Sequence, residues 1–234
     1  MSGIVGSRLN TRGSGIVGSL GTDGQILLSS GAGTSAVFET VSAGGDISFG
    51  GDTFGADKVI GSNDSYALSL ETNNTTAITI NTDGSINSPL QPTFHVEHSA
   101  GQSNMAADTD VTITYNTEVY DIGANFASDT FTAPATGKYL LSFLWLSAAI
   151  DHDGSAYNMT KLVTSNATHT WTFEVQSFFN SEPEFWPFHF SVVTDMDTSD
   201  TAYVVYRSAG GGASTTDVYG TTADQHFFSG CLVS

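Results

Sequence analysis

Apolar and polar positions alternate with a period of two through much of this chain, the pattern of strands rather than helices. The densest apolar run spans residues 130–146. In it Tyr139, Leu141, Phe143 and Trp145 fall on one face of a strand, and Leu140, Ser142, Leu144 and Leu146 on the other. Pro134 removes a ladder donor and Gly137 frees the backbone, so the run reads as a short strand, a turn and a longer strand. The first face predicts a core surface. The second is too apolar for a solvated sheet and predicts cover on both sides, by another sheet or another subunit.

Other stretches repeat the alternation. Val111, Ile113 and Tyr115 alternate with Thr112, Thr114 and Asn116; Trp171, Phe173 and Val175 with Thr172, Glu174 and Gln176; Phe188, Phe190 and Val192 with His189 and Ser191. With 94–96, 203–206 and 225–233 they predict about eight to ten strands in 93–234, suited to a two-sheet antiparallel sandwich of the jelly-roll kind. Upstream, Tyr66, Leu68 and Leu70 share one face, Ala67, Ser69 and Glu71 the other, and Ile78 and Ile80 continue the stripe. Asn63-Asp64, Asn73-Asn74 and Thr82-Asp83-Gly84 supply the turns between these short strands. Pro89 and Pro92 mark a boundary, so the expected organisation is an arm (1–44), a β-rich shaft (45–92) and a head (93–234).

Composition sharpens that division. Of the 26 aromatic residues 22 follow residue 93, and of the 25 glycines 14 precede residue 56, so the N-terminal part lacks the large side chains of an ordinary core. There Ser2-Gly-Ile-Val-Gly-Ser7 recurs unchanged as Ser14-Gly-Ile-Val-Gly-Ser19, with Arg8 and Arg12 between the copies. Ile4, Val5, Ile16 and Val17 can dock as extended segments but cannot close a core alone, so the arm is expected to anchor on a partner surface; by Gly/Ser content alone, in an isolated chain, it reads first as a disordered tail.

Charge narrows the partners. The formal charge of -18 sets 24 acids against six cations, a surface that repels nucleic acid and anionic lipid. No apolar run reaches the roughly 18 residues of a membrane span, and neither membrane insertion nor a standard signal peptide is expected. Cys231 stands alone, which excludes an internal disulfide and a cysteine-based zinc site; its expected role is that of a small buried hydrophobe. No Gly-x-Ser-x-Gly elbow, phosphate loop or His-Glu-x-x-His occurs, and alternation sets His98 opposite His95 and Glu97. The acidic turns at Asp151-His152-Asp153 and at Asp195, Asp197 and Asp200 could hold calcium, though neither completes a loop signature. No cofactor and no enzymatic activity are expected; a glycan-cleaving enzyme, with paired carboxylates in an aromatic groove, is the competing class.

Two resemblances add to this reading. Residues 20–38, with Gly21-Thr-Asp-Gly-Gln-Ile-Leu27 followed by Ser30-Gly-Ala-Gly33 and Phe38, resemble a linker passage of bacteriophage tail and fibre proteins; residues 65–80 resemble fibre segments in which three chains pool thin apolar stripes. Further on, Phe94-His-Val96, 114–123, Asn125-Phe126, the Phe131-Thr-Ala-Pro134 and Gly137-Lys-Tyr139 pieces, Phe143 and the closing Phe228-Ser-Gly230 are similar to the globular head of complement subcomponent q and its tumour necrosis factor relatives. That likeness implies a compact trimer of jelly rolls used for recognition, with Phe131, Pro134, Gly137, Tyr139, Phe228 and Gly230 as signature structural positions. The collagenous Gly-X-Y stalk of many relatives is absent. Together the resemblances imply a homotrimeric virion protein, a head fibre, capsid decoration or short tail appendage, anchored on capsid or tail proteins through Ile4, Val5, Arg8, Arg12, Ile16 and Val17. The alternative they imply is a tail fibre whose head binds a host-surface glycan or protein.

Overall fold

The computed structural model describes residues 25–28, 37–40, 55–57, 59–210, 216–220 and 225–234. The chain divides into two units, 1–60 and 61–234. In the first, β1 (Gln25–Leu28) and β2 (Val37–Thr40) pair antiparallel, within a stretch expected to be extended linker. Ile4, Val5, Arg8, Arg12, Ile16 and Val17 lie outside the described residues.

The second unit opens with a meander of β3 (Leu68–Thr72), β4 (Thr75–Ile80) and β5 (Ile86–Asn87). Asn73 and Asn74 close its first hairpin with φ of 49° and 57°, the positive values that a two-residue turn matching strand twist requires and that asparagine tolerates best after glycine. Asp83 builds the second turn, its carboxylate accepting from the Ser85 amide (2.9 Å) and hydroxyl (2.7 Å); these bonds hold its pKa below the usual carboxylate value. Register places Leu68 beside Ile80, Leu70 beside Ile78, and Ile80 beside Ile86, one apolar stripe across three strands. Within one chain it stays open: Leu70 is 53% and Ile86 71% exposed.

The remaining strands are β6 (Thr93–Glu97), β7 (Gln102–Met105), β8 (Val111–Thr112), β9 (Thr117–Asp121), β10 (Phe126–Ala127), β11 (Thr130–Thr132), β12 (Gly137–Ala148), β13 (Tyr157–Thr164), β14 (Thr168–Phe173), β15 (Phe185–Met196), β16 (Thr201–Ala209), β17 (Thr216–Val218) and β18 (Phe227–Leu232), with a single-turn helix α1 (Val175–Phe178) after β14. The larger sheet runs β15-β12-β18-β6-β9, with β17 and then β7 continuing beside the end of β12. The smaller runs β14-β13-β16, flanked by β11-β10 and by β8. Apart from hairpins such as β13-β14 and β10-β11, the long strands pair with partners distant in sequence: β12 pairs β15 across the β13-β14 hairpin, and β13 pairs β16 across β14 and β15. All pairings are antiparallel, and this alternation of long strands between two sheets is the jelly roll.

The core fills the space between the sheets. Trp145 stacks on Phe188 (ring centroids 4.2 Å, 12°) and meets Tyr206 edge-on (5.1 Å), while Phe94 stacks on Phe131 (4.5 Å) and meets Phe228 edge-on (5.0 Å). The polar tips find partners: the Trp145 indole N–H donates to Thr160 Oγ1 (3.2 Å), and the Tyr206 hydroxyl lies between Asn158 Oδ1 and Thr216 Oγ1. Desolvation pushes the Tyr206 pKa up to about 12.

Four local expectations need correction. Thirteen described segments, rather than eight to ten, build the sandwich, because pieces of two to four residues such as β8, β10, β11 and β17 are too short to show a period. Only Val111–Thr112 of the stretch 111–116 pairs as a strand. Ile113 and Tyr115 are nonetheless buried, their amides bonded to the Val204 carbonyl (2.9 Å) and the Asp129 carboxylate (2.7 Å). Val175 sits in α1 rather than in β14, since the chain turns after Glu174 and still delivers the side chain to the core. Cys231 is half-buried, because alternation from buried Phe228 puts it on the outward side of β18.

Candidate functional site

The two faces of β12 separate as alternation requires. Tyr139, Leu141, Phe143 and Trp145 are fully buried between the sheets, and the Tyr139 hydroxyl donates to the Ala135 carbonyl (2.7 Å) in the preceding turn; burial, the larger influence, raises its pKa. Phe131 and Phe228 join them in the same cluster, and Pro134 stands exposed in the turn between β11 and β12. The two signature glycines serve close packing. A Cβ at Gly230 would fall 2.5 Å from Leu141 Cδ2 and 2.7 Å from Phe94 Cε1; one at Gly137 would meet the Ser234 carbonyl and lie 2.6 Å from Leu232 Cδ1.

Leu140, Leu144 and Leu146 occupy the outward face of the larger sheet, which no second layer of this chain covers among the described residues. Register builds the face in rows. Leu140 lies between Val193 of β15 and Cys231 of β18, Ser142 between Ser191 and Ser229, and Leu144 between His189 and Phe227, while Leu146 lies beside Pro187. Leu140 is 39% and Val193 54% exposed. The serine row is linked by the Ser142–Ser191 hydroxyl pair at 2.7 Å. Further across, His95 is stacked between Tyr120 (5.8 Å) and Phe227 (5.5 Å), with Glu97 3.5 Å from its Nε2. An apolar surface with a narrow hydroxyl band and one aromatic stack suits a second protein surface: it offers area to desolvate and a few polar groups to fix register.

Inside the sandwich, His98 and His226 form a fully buried pair with ring centroids 5.4 Å apart. His98 Nδ1 faces the Thr114 carbonyl, which only accepts, so that nitrogen carries the proton. The Leu146 amide donates to His226 Nδ1 (3.2 Å), so His226 carries its proton on Nε2. Neither Nε2 has a hydrogen-bond partner. The tautomers give the pair one free donor and one free acceptor, an arrangement for two neutral imidazoles rather than two metal ligands. Desolvation lowers the pKa of both, His226 to about 4 with the nearby His98 adding to the effect.

The carboxylates of the acidic turns have partners within the chain, Asp151 in its own loop, Asp195 across strands and Asp200 in both ways. Asp151 accepts from the amides of Asp153 (3.0 Å) and Gly154 (2.7 Å), Asp195 pairs with Lys138 (2.6 Å), and Asp200 accepts from the Asp197 amide (2.8 Å) and the Asn166 side chain (2.6 Å). Among the described residues no three His, Cys, Asp or Glu side chains gather as a metal would require. The structure thus brings Leu140, Leu144 and Leu146 together with Val193, Phe227 and Tyr120, which the sequence pattern did not mark, and with His95, which it marked only beside Glu97 and His98. Alternation could have placed each of these outward; only register could place them side by side.

No family model matches this sequence, and no curated protein does. Among solved structures the chain is similar to the globular domain of zebrafish complement 1qA protein, at 17% identity over 62% of this chain and 98% of that one with a TM-score of 0.43. It is also similar to murine APRIL crystallised at pH 8.0, at 13% identity over 61% and 99% of the two chains with a TM-score of 0.42.

Proposed function

We propose that this chain is a non-enzymatic structural protein that assembles as a homotrimer, with the jelly roll projecting as a head and the N-terminal arm anchoring it to a bacteriophage particle. The observation that carries the assembly is a pair of apolar surfaces left open by one chain. The outward face of β12 and its neighbours exposes Leu140 and Val193, and the β3-β5 meander exposes Leu70, Ile78 and Ile86. A three-stranded sheet with one uncovered stripe buries too little to be stable alone, and three copies around one axis can bury all three stripes against each other. The wider outward face then closes against the neighbouring head.

The phage setting rests on the likeness of residues 20–38 and 65–80 to fibre passages, and on the repeated Ile-Val pairs flanking Arg8 and Arg12. A meander this short favours a head fibre, capsid decoration or short appendage over a long tail fibre. The protein would then reside in the virion, with capsid or tail proteins as its partners. Sedimentation of the full chain at micromolar concentration is expected to give a single trimeric species, dispersed by Leu144→Asp. A stable wild-type monomer would refute the assembly, and absence of the protein from purified particles would refute the setting.

A further inference from the structure

We propose that the pocket lined by Tyr157, Thr172, Phe173, Glu174, Ser177 and Phe178 binds a neutral saccharide. It opens where the ends of β13 and β14 meet α1 and holds about 510 Å³, inside the range of small-molecule sites. This surface lies on the smaller sheet, away from the outward face of β12, and the proposal does not depend on trimer formation or on a virion.

The wall of the pocket is held in place. Val175 is fully buried, Phe179 packs edge-on against Trp186 (5.0 Å), and the Gln176 amide donates to the His152 carbonyl (3.0 Å). The His152 ring in turn bonds to the Phe179 carbonyl (2.9 Å) and to Asp153 (2.9 Å). Yet this braced turn leaves Phe178 71% exposed, and Tyr157, which also lines the pocket, is 38% exposed. Burial explains Val175 and Phe179; it does not explain Phe178.

The lining chemistry selects the ligand. Aromatic faces carry negative charge density and attract the weakly positive C–H face of a pyranose ring. Ser177 donates to Glu174 Oε2 (2.7 Å), orienting the carboxylate so that Oε1 can accept from ligand hydroxyls, and Thr172 adds a hydroxyl that both donates and accepts. An anionic ligand would meet Glu174 with no lysine or arginine in the lining, on a chain of formal charge -18. A purely apolar ligand would desolvate that carboxylate without replacing its water. A quaternary ammonium is best held by a closed aromatic box, whereas one wall here is open and hydroxyl-bearing. With one carboxylate in the lining, the site is suited to binding rather than to hydrolysis, which calls for two.

The test uses the full chain on an array of neutral, sulfated and sialylated oligosaccharides, followed by calorimetric titration of the best neutral one. Phe178→Ala and Glu174→Gln alter exposed side chains, so thermal midpoints close to wild type are expected, with binding weakened at least about tenfold in each. Ser177→Ala, which removes only the orienting hydroxyl, serves as the milder variant and is expected to weaken binding less. Retention of no neutral oligosaccharide, a preference confined to sulfated or sialylated ones, or unchanged binding by both Phe178→Ala and Glu174→Gln would each overturn the assignment.

Discussion

Leu141 and Leu140 are adjacent in one strand and chemically identical, yet the first is fully buried and the second 39% exposed. Everything around Leu141 comes from its own chain: Phe94 and Phe131 share its cluster, and Gly230 gives it room. Leu140 has only its strand neighbours Val193 and Cys231, and nothing described lies over it. The inward face of β12 is therefore a folding surface, complete in a single molecule. The outward face has the composition of a core without a second layer among the described residues, and the proposed assembly rests on it.

The largest effect expected from this difference comes at Phe143. Its ring is fully buried and faces Phe190 at 6.3 Å, so Phe143→Ala removes a filled volume that rigid sheets on both sides cannot close over. A loss of about 3–5 kcal/mol is expected in denaturant unfolding. Leu144→Asp, one position along, is expected to change the unfolding of the dissociated chain by less than about 1 kcal/mol while abolishing assembly. Equal losses of stability at the two positions would erase the distinction between the faces.

The same contrast explains how far the sequence could be read. The inward face of β12, the buried strands β6 and β16 and the turn at Asn73-Asn74 follow from alternation and turn chemistry, which are local. So does the jelly roll in outline, since many short alternating strands with polar turns leave few other ways to bury two apolar faces. Short pieces such as β10 and β17 were not legible, because two or three residues carry no period and their pairing is decided by distant partners. Nor was the His95 stack: His95, Tyr120 and Phe227 are far apart in sequence, and a bulge between His95 and Val96 sets their register. The aromatic pocket escaped for a similar reason, since its wall is a turn that replaces a strand at Val175.

Acid provides the next largest effect, and its main part comes from the inward side. His98 and His226 are held below their ordinary pKa of 6.5 by burial, and His226 also by its neighbour. The unfolded chain therefore binds protons before the folded one does. Their contribution is complete above about pH 6.5 and is lost as pH falls toward 4, with about 3 kcal/mol from His226. His152 runs the opposite way: bonds to Asp153 and the Phe179 carbonyl raise its pKa, so its contribution is present below pH 6.5 and fades as pH rises through the raised value. Urea unfolding at pH 7 and pH 4.5 is expected to show the loss, and His226→Gln to flatten it. A profile unchanged by His226→Gln would assign the acid sensitivity to other groups.

The smallest effect on folding, and the sharpest on attachment, is expected from the arm. A variant lacking residues 1–40 loses one aromatic residue, Phe38, and none of the sandwich residues, so its thermal midpoint is expected to lie close to that of the full chain. If the two Ile-Val pairs dock on a particle while Arg8 and Arg12 face carboxylates there, the shortened trimer should still form yet be missing from virions when it is the sole copy. Three arms on one trimer raise the effective concentration at a symmetric site, so one weakened docking segment per chain is partly offset by the others. Ile4→Asp with Ile16→Asp is therefore expected to reduce retention by more than the sum of the single changes, read as copies per particle after washing in high salt. Normal incorporation of the shortened trimer would move the docking surface to the meander or the head, and with it the outward face of β12 would have two partners to satisfy instead of one.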